Sequence, residues 1–247
     1  MMLYLKQLTI LVCSLLLATT YAQTPNAIIT YKGEINPKYV DSFVTALENK
    51  KNVAMGVKQR VANHYYNARP EYFELHIKGD ESYYYTLPSL DTEEGYIMGS
   101  NSSIFPYYTE KSSGKIIEYT THFGKIAMTP LKWHLTGEVK KIGKYTCYQA
   151  KSSERLFSRR GFYYNRQVIA WFTPEIPLNF GPKNYIGLPG LVLEIYRDKF
   201  SLKAIEINLN PEEEVKIIKP KKNEKIITEE ESHAMISEIE AERKKDR

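Results

Sequence analysis

The chain has 247 residues, 43% of them hydrophobic and 26% charged, with 34 Lys and Arg against 29 Asp and Glu. That is globular composition, too apolar for a disordered chain, lacking the repeated long apolar runs of a multi-span membrane protein, and long enough to bury a core without disulfides or metals as staples. The slight positive balance is a solubility property before it is a sign of nucleic-acid binding.

Residues 1–22 read as an export signal: Lys6, an apolar run from Leu8 to Ala18, then Thr20-Tyr21-Ala22, with cleavage expected after Ala22. A membrane anchor needs about 20 apolar residues, so the short run predicts removal and no transmembrane segment afterwards. Cys13 leaves with the signal. Cys147 is then the one cysteine of a protein bound for the periplasm or the exterior, and an internal disulfide is impossible.

Residues 23–210 read as a single β-rich domain. Ile28 to Tyr31 are β-branched or aromatic and predict a first strand. Asn36 is a suitable N-cap and Pro37 a suitable first helical residue, and Val40, Phe43, Val44 and Leu47 then share one helical face. The helical pattern resumes through Ala54, Val57 and Val61. From Tyr72 the period becomes two, and Gly79-Asp80 turns the chain into a hairpin ending at Leu87. Further strands are expected at 96–98, 104–109, 115–122, 132–141, 144–151, 162–164, 167–173, 191–197 and 199–209. One early helix and many short strands predict a mainly β (α+β) fold, a large curved antiparallel sheet or half-barrel with the helix packed on one face. Trp133, Leu135 and Val139 alternate with His134, Thr136 and Glu138, the pattern of a half-buried strand. In the last strand the apolar phase breaks between Ala204 and Ile205, which predicts a β-bulge.

After Asn210 the composition shifts to eleven acidic against nine basic side chains. Lys219 to Asn223 read as a solvated linker, and Thr228 with Glu231 makes a capping-box pattern ahead of a terminal helix with a narrow apolar stripe of Met235, Ile236 and Ile239.

Gly187-Leu188-Pro189-Gly190-Leu191-Val192-Leu193-Glu194 resembles the sequence that names the GLPGLI family of exported proteins from Bacteroidetes-type bacteria. Trp133 to Glu138, Lys141 to Ala150, Ala170 to Pro177 (with Trp171 and Glu175), and Gly181-Pro182 agree with it in order and spacing; Val192 and Gln149 depart from it. The resemblance implies a secreted or envelope protein of a Gram-negative organism and no activity, since the family has no established biochemical function. The hairpin around Trp133 and Cys147 also looks like segments of envelope lipid-carrier half-barrels, a likeness of fold alone.

Read from its residues, Thr173 to Gly190 holds Pro174, Pro177, Pro182 and Pro189 with Gly181, Gly187 and Gly190, and so cannot be regular helix or sheet. It predicts a long stiffened loop that packs Ile176, Leu178, Phe180, Tyr185 and Leu188 over an open end of the sheet. Pro189 and Gly190 suit the central positions of a type II turn. A loop of this length is either a corner or a lid and partner-binding edge.

Chemistry is sparse. The histidines at 64, 76, 122, 134 and 233 show no metal-ligand spacing, no nucleophile elbow or phosphate loop is present, and no cofactor is expected. Cys147 reads as a small buried apolar group. Glu138, Glu175 and Glu194 could act as acid and base if the fold paired them. Arg159-Arg160-Gly161-Phe162-Tyr163-Tyr164 fits a hairpin tip. The 20 tyrosines include neighbouring pairs, each expected to send one ring to the core and one outside, where an aromatic face invites a ligand. The leading expectation is a non-enzymatic binding module for an apolar small molecule or an envelope protein. An envelope hydrolase using those glutamates and an accessory subunit of an outer-membrane system are the alternatives.

Overall fold

A computed structural model of the chain describes residues 25–88, 96–97, 105–158 and 161–245. The expected signal peptide and the Arg159-Arg160 pair lie outside these residues. The described residues form fourteen strands: β1 (Asn26–Ile35), β2 (Ala68–Arg69), β3 (Glu71–Lys78), β4 (Glu81–Thr86), β5 (Tyr96–Ile97), β6 (Tyr107–Glu110), β7 (Lys115–Thr120), β8 (Gly124–Ala127), β9 (His134–Ile142), β10 (Tyr145–Phe157), β11 (Tyr163–Thr173), β12 (Leu191–Arg197), β13 (Phe200–Asn208) and β14 (Ile226–Thr228). Three helices among the described residues accompany them: α1 (Pro37–Glu48), α2 (Met55–Tyr66) and α3 (Glu229–Lys245).

Twelve strands make one open sheet in the order β14-β8-β7-β6-β4-β3-β1-β13-β12-β11-β10-β9, while β2 and β5 pair separately. Neighbours in the large sheet are antiparallel except β14 and β8, which makes it mixed. The helix predicted from Asn36-Pro37 starts there, with the Asn36 carbonyl accepting the amides of Tyr39 and Val40. Val40 and Val44 pack on Ile35 and Phe200 at one end of β1 and β13. The phase break in β13 is a bulge: Thr30 pairs with Glu206 and Tyr31 with Ala204, leaving Ile205 unopposed.

The sheet curls. One core cluster draws on Tyr107 and Ile116 from β6 and β7, and also on Ala150, Val168 and Leu193 from β10 to β12, so strands from both halves of the sheet face one interior. The irregular segment between β11 and β12 fills that interior with Ile176, Phe180, Tyr185, Ile186 and Leu188, all buried. The inner face of the sheet is therefore covered by the chain's own loop.

Three expectations change. The strand β9 is exposed along both faces, Leu135 at 65% and Val139 at 52%. It is the last strand of the sheet and has a neighbour on one side only. Its alternation also breaks at Gly137, where Thr136 to Glu138 oppose the single residue Gln149. Of the tyrosine pairs, Tyr65 packs on a core cluster while Tyr66 is exposed, but Tyr83, Tyr84, Tyr107 and Tyr108 are all buried, since Tyr84 and Tyr107 face the main core while Tyr83 and Tyr108 join Ile117 under Ile217 and Ile226. The stretch expected to be a linker is solvated but tied down. The Lys216 amide donates to His76 Nδ1 (2.8 Å), Tyr119 donates to the Ile218 carbonyl (2.8 Å), and Lys219 and Glu224 pair with Glu81 and Lys125.

Beyond this strap the capping box forms as read, with Thr228 Oγ1 accepting the Glu231 amide (3.1 Å) and Glu231 accepting the Thr228 amide (2.7 Å). The Glu229 carboxylate takes the amide and hydroxyl of Thr129, fixing the start of α3 beside the end of β8.

Candidate functional site

The residues singled out in the sequence go to separate places. Trp171 and Glu194 meet on the outer face, where Lys140 pairs with Glu194 and sets its ammonium 4.3 Å above the Trp171 ring; Tyr196 donates to the same carboxylate (3.1 Å). Glu175, at the start of the loop, accepts the Thr146 amide (2.7 Å). Glu138 is exposed on β9. The three carboxylates are thus committed to different partners or to solvent, and do not form the acid and base pair that a hydrolase would need. Cys147 is buried, and burial pushes its thiol up to about 11, the behaviour of an inert core cysteine.

Gly187, Leu188, Pro189 and Gly190 make a corner in which Leu188 is buried while Gly187 and Pro189 face out. The expected type II turn is absent. The Gly190 amide donates to the Leu188 carbonyl (2.8 Å), a three-residue turn centred on Pro189, and the Leu191 amide goes instead to the Ile176 carbonyl (2.9 Å). Gly190 has φ +146°, and a Cβ there would stand 2.0 Å from the Thr173 carbonyl oxygen, so close backbone approach is what requires glycine.

Pro182 and Tyr185 lie inside, and the residues between them were not anticipated. Lys183 is 5% exposed and Asn184 3% exposed. Lys183 has φ +57°, a conformation that strains a long side chain by about 1–2 kcal/mol. Its ammonium lies 5.7 Å and 5.6 Å from the ring centres of Tyr107 and Tyr185, and among the described residues it makes no ion pair. Burial, then the nearby Arg197 guanidinium, lower it to about 8, against the pull of Glu154 and Glu118. Glu154 and Arg197 form a buried ion pair at 2.7 Å. The Tyr107 hydroxyl donates to Glu118, whose carboxyl is raised above its usual range by burial.

This polar core opens on a cleft. About 820 Å³ of space lies between β10, the connection from β8 to β9, and the first turn of α3. Glu154 and Asn184 form part of its wall, with Lys132, Lys151 and Arg155 from the body and Glu230 and His233 from α3. The Asn184 Oδ1 is buried and has no hydrogen-bond partner among the described residues. Trp133 supports the site from behind, donating its Nε1–H to the Ile186 carbonyl (2.8 Å) and setting its ring edge-on to Tyr185. Phe157 stacks on His233 with ring centres 4.8 Å apart, and burial lowers the His233 imidazole, which favours its neutral form. Among the described residues no three His, Cys, Asp or Glu side chains converge as metal ligands would.

One signal for Glu154 and Arg197 was present in the sequence. Glu154 continues the phase of Ala150 and Ser152, and Arg197 the phase of Leu193 and Ile195, all of which point inward. Each is a charge written where a strand's buried face calls for an apolar residue.

A family model described as "Protein of unknown function (Porph_ging)" matches residues 160–194, a stretch that includes Lys183, Asn184 and the Gly187 to Gly190 corner. Nothing among curated proteins matches the chain. Two solved structures, "Structure of PNGF-II in C2 space group" and "Structure of PNGF-II in P21 space group", are similar at 13% and 14% identity with TM-scores of 0.44 and 0.45. They cover 87% and 86% of this chain, which spans 33% of the length of each. At that level the likeness bears on no activity. No helix among the described residues is long and apolar enough to cross a membrane.

Proposed function

We propose that this chain is an exported, non-enzymatic binding module of a cell envelope, and that its ligand seats in the cleft between β10 and α3. The apolar run from Leu8 to Ala18, followed by the small-residue pattern ending at Ala22, supports export. The observation that carries the binding site is the Asn184 amide oxygen, buried and unpartnered at the wall of an 820 Å³ cleft. A buried acceptor left without a donor costs about 1–3 kcal/mol, and a ligand N–H or O–H recovers it. The strained, desolvated Lys183 beside it adds to that cost, and such features gather at sites that are kept for use rather than for stability. Protein purified from its own envelope and examined by native mass spectrometry should carry a bound species that Asn184→Leu and the cleft-filling Ser153→Trp both lose while remaining folded by circular dichroism. No bound species in the wild type, or one retained by both variants, overturns the reading.

A second reading, for an apolar small molecule, rests on a groove of about 750 Å³ on the other side of α3, lined by Phe105, Phe123, Phe157, Met235, Ile236 and Ile239. Displacement of a fluorescent fatty acid, abolished by Ile236→Asp and untouched by Asn184→Leu, would favour it over the cleft.

A further inference from the structure

The strand β10 is longer than its outer neighbour. It pairs with β11 through Phe157, opposite Tyr163, but with β9 only as far as Lys151, opposite His134. The remaining edge, from Ser152 to Phe157, borders the cleft, and the side chains of Ser152 to Leu156 all contribute to its wall. Among the described residues no backbone–backbone hydrogen bond joins this edge to another segment, and the Ser152 hydroxyl donates to the Lys132 carbonyl beside it (2.8 Å).

The phase of the ladder says which groups are free. The Ser158 amide donates to the Phe162 carbonyl (2.8 Å), in register with the Phe157 and Tyr163 pair. Antiparallel strands exchange bonds at every second residue, so Leu156, Glu154 and Ser152 bond to β11, while Ser153, Arg155 and Phe157 turn their N–H and C=O groups toward the cleft. The hairpin of β9 and β10 agrees, since Ile142 and Tyr145 flank its two-residue turn and put Tyr145 and Cys147 in the same phase on the β9 side. These are the bonding groups of an absent strand. Ser153 to Phe157 offer about 16 Å of edge at 3.3 Å per residue.

The cleft also has a charge preference. Lys132, Lys151 and Arg155 line it, and none is ion-paired with a carboxylate among the described residues. Of the acids on the wall, Glu154 is held by Arg197 and Glu229 by Thr129, which leaves Glu230. Arg155 is already ordered, with its guanidinium 3.7 Å from the centre of the Tyr163 ring. The cations Lys151 and Arg155 stand on the exposed face of β10, and Ser152 and Glu154 on the buried face, beside Asn184.

We propose that the cleft is a strand acceptor, in which an extended segment of a partner protein adds itself to the free edge of β10, presenting acidic side chains to Lys151 and Arg155 and hydrogen-bond donors to Asn184. The inference rests on the cleft being the binding site and specifies what occupies it. Main-chain bonds supply affinity in such pairing, and the alternate side chains supply choice. A second copy of this chain is a poor occupant, because edge-to-edge pairing would bring Lys151 and Arg155 of both copies together. Of the two end strands of the sheet, β14 is only three residues long, and the edge along β9 is blunted by the Gly137 bulge and by Lys140 and Lys141.

The test titrates the full chain, labelled with nitrogen-15, with an acetylated and amidated peptide of four Glu-Thr repeats. Two analogues carry N-methyl groups on every Glu or on every Thr, so that each silences one edge of the peptide. The parent peptide should shift the Ser153 and Arg155 amide signals, one analogue should bind about tenfold more weakly and the other nearly as well as the parent, as the loss of one or two net hydrogen bonds requires. Lys151→Glu with Arg155→Glu should reverse the preference toward a Lys-Thr peptide. Equal binding by both analogues, shifts that map to β9, or no binding at millimolar peptide overturns the proposal. If the species carried from the envelope still depends on Asn184 after such a failure, the cleft remains the site and only the strand acceptor falls; if neither binds, both fall.

Discussion

Replacing Lys183 by Met should make the protein more stable. The ammonium is buried beside the Arg197 guanidinium, and its affinity for the proton falls from 10.5 to about 8. At about 1.4 kcal/mol per unit, that fall places a penalty of roughly 3 kcal/mol on the charged form in the folded state. The folded chain binds fewer protons than the unfolded chain between pH 8 and pH 10.5, so this penalty is fully present below pH 8 and is relieved as pH rises through that window. Met is an uncharged chain of similar length and inherits the same backbone strain at φ +57°, so the charge beside Tyr107 and Tyr185 is the main thing removed. Urea unfolding followed by the fluorescence of Trp133 and Trp171 should give Lys183→Met an advantage of about 2–3 kcal/mol at pH 7, shrinking steadily toward pH 10. Both proteins share their buried tyrosines, so tyrosine ionisation cancels in the difference. A variant less stable than wild type at pH 7, with a difference that does not change with pH, would mean that Glu118 and Glu154 hold the ammonium favourably and that the site carries no stored cost.

The neighbouring ion pair behaves in the opposite way. Glu154→Gln or Arg197→Met alone strands a buried charge and should cost about 3–5 kcal/mol, whereas Glu154→Leu combined with Arg197→Met should cost about 1 kcal/mol or less, measured by the same unfolding assay. Gly190→Ala forces a methyl against the Thr173 carbonyl and should cost about 3 kcal/mol or more, while Gly187→Ala, with open space around it, should cost about 1–2 kcal/mol; thermal melts separate the two. His76→Leu removes the acceptor of the Lys216 amide and should leave the fold intact but speed proteolytic cleavage within residues 216–225 by about tenfold. Thr228→Ala should raise amide exchange in the first turn of α3 and lower stability by about 1 kcal/mol.

What could be read in the sequence was what neighbours in the chain decide. The Asn36-Pro37 helix start, the Thr228 and Glu231 cap, and the bulge at Ile205 are set by residues within a few positions of one another, and all three form as read. The short strands β8 and β14 carry too few residues for a period to declare itself, and β14 is strand only because β8 offers it an edge. The alternation in β9 predicts half burial because alternation cannot reveal that a strand is last in its sheet. The site was hidden for a further reason. The burial of Lys183 depends on Arg197 from β12, Glu154 from β10 and Glu118 from β7 converging under one loop, which the loop's proline and glycine content marks as a place without disclosing its chemistry. The free edge of β10 follows from a difference in length between two strands, and that difference appears only once their register is known.

Amide hydrogen exchange along β10 separates a free edge from a covered one. In the free protein Ser152 and Glu154, bonded to β11, should be protected, while Ser153 and Arg155, facing the cleft, should exchange rapidly. Addition of the Glu-Thr peptide should slow Ser153 and Arg155 by at least about tenfold and leave their two neighbours unchanged. Protection of Ser153 and Arg155 already present in the free protein, or no change on adding peptide, would mean that β10 has no free edge or that the cleft accepts no strand.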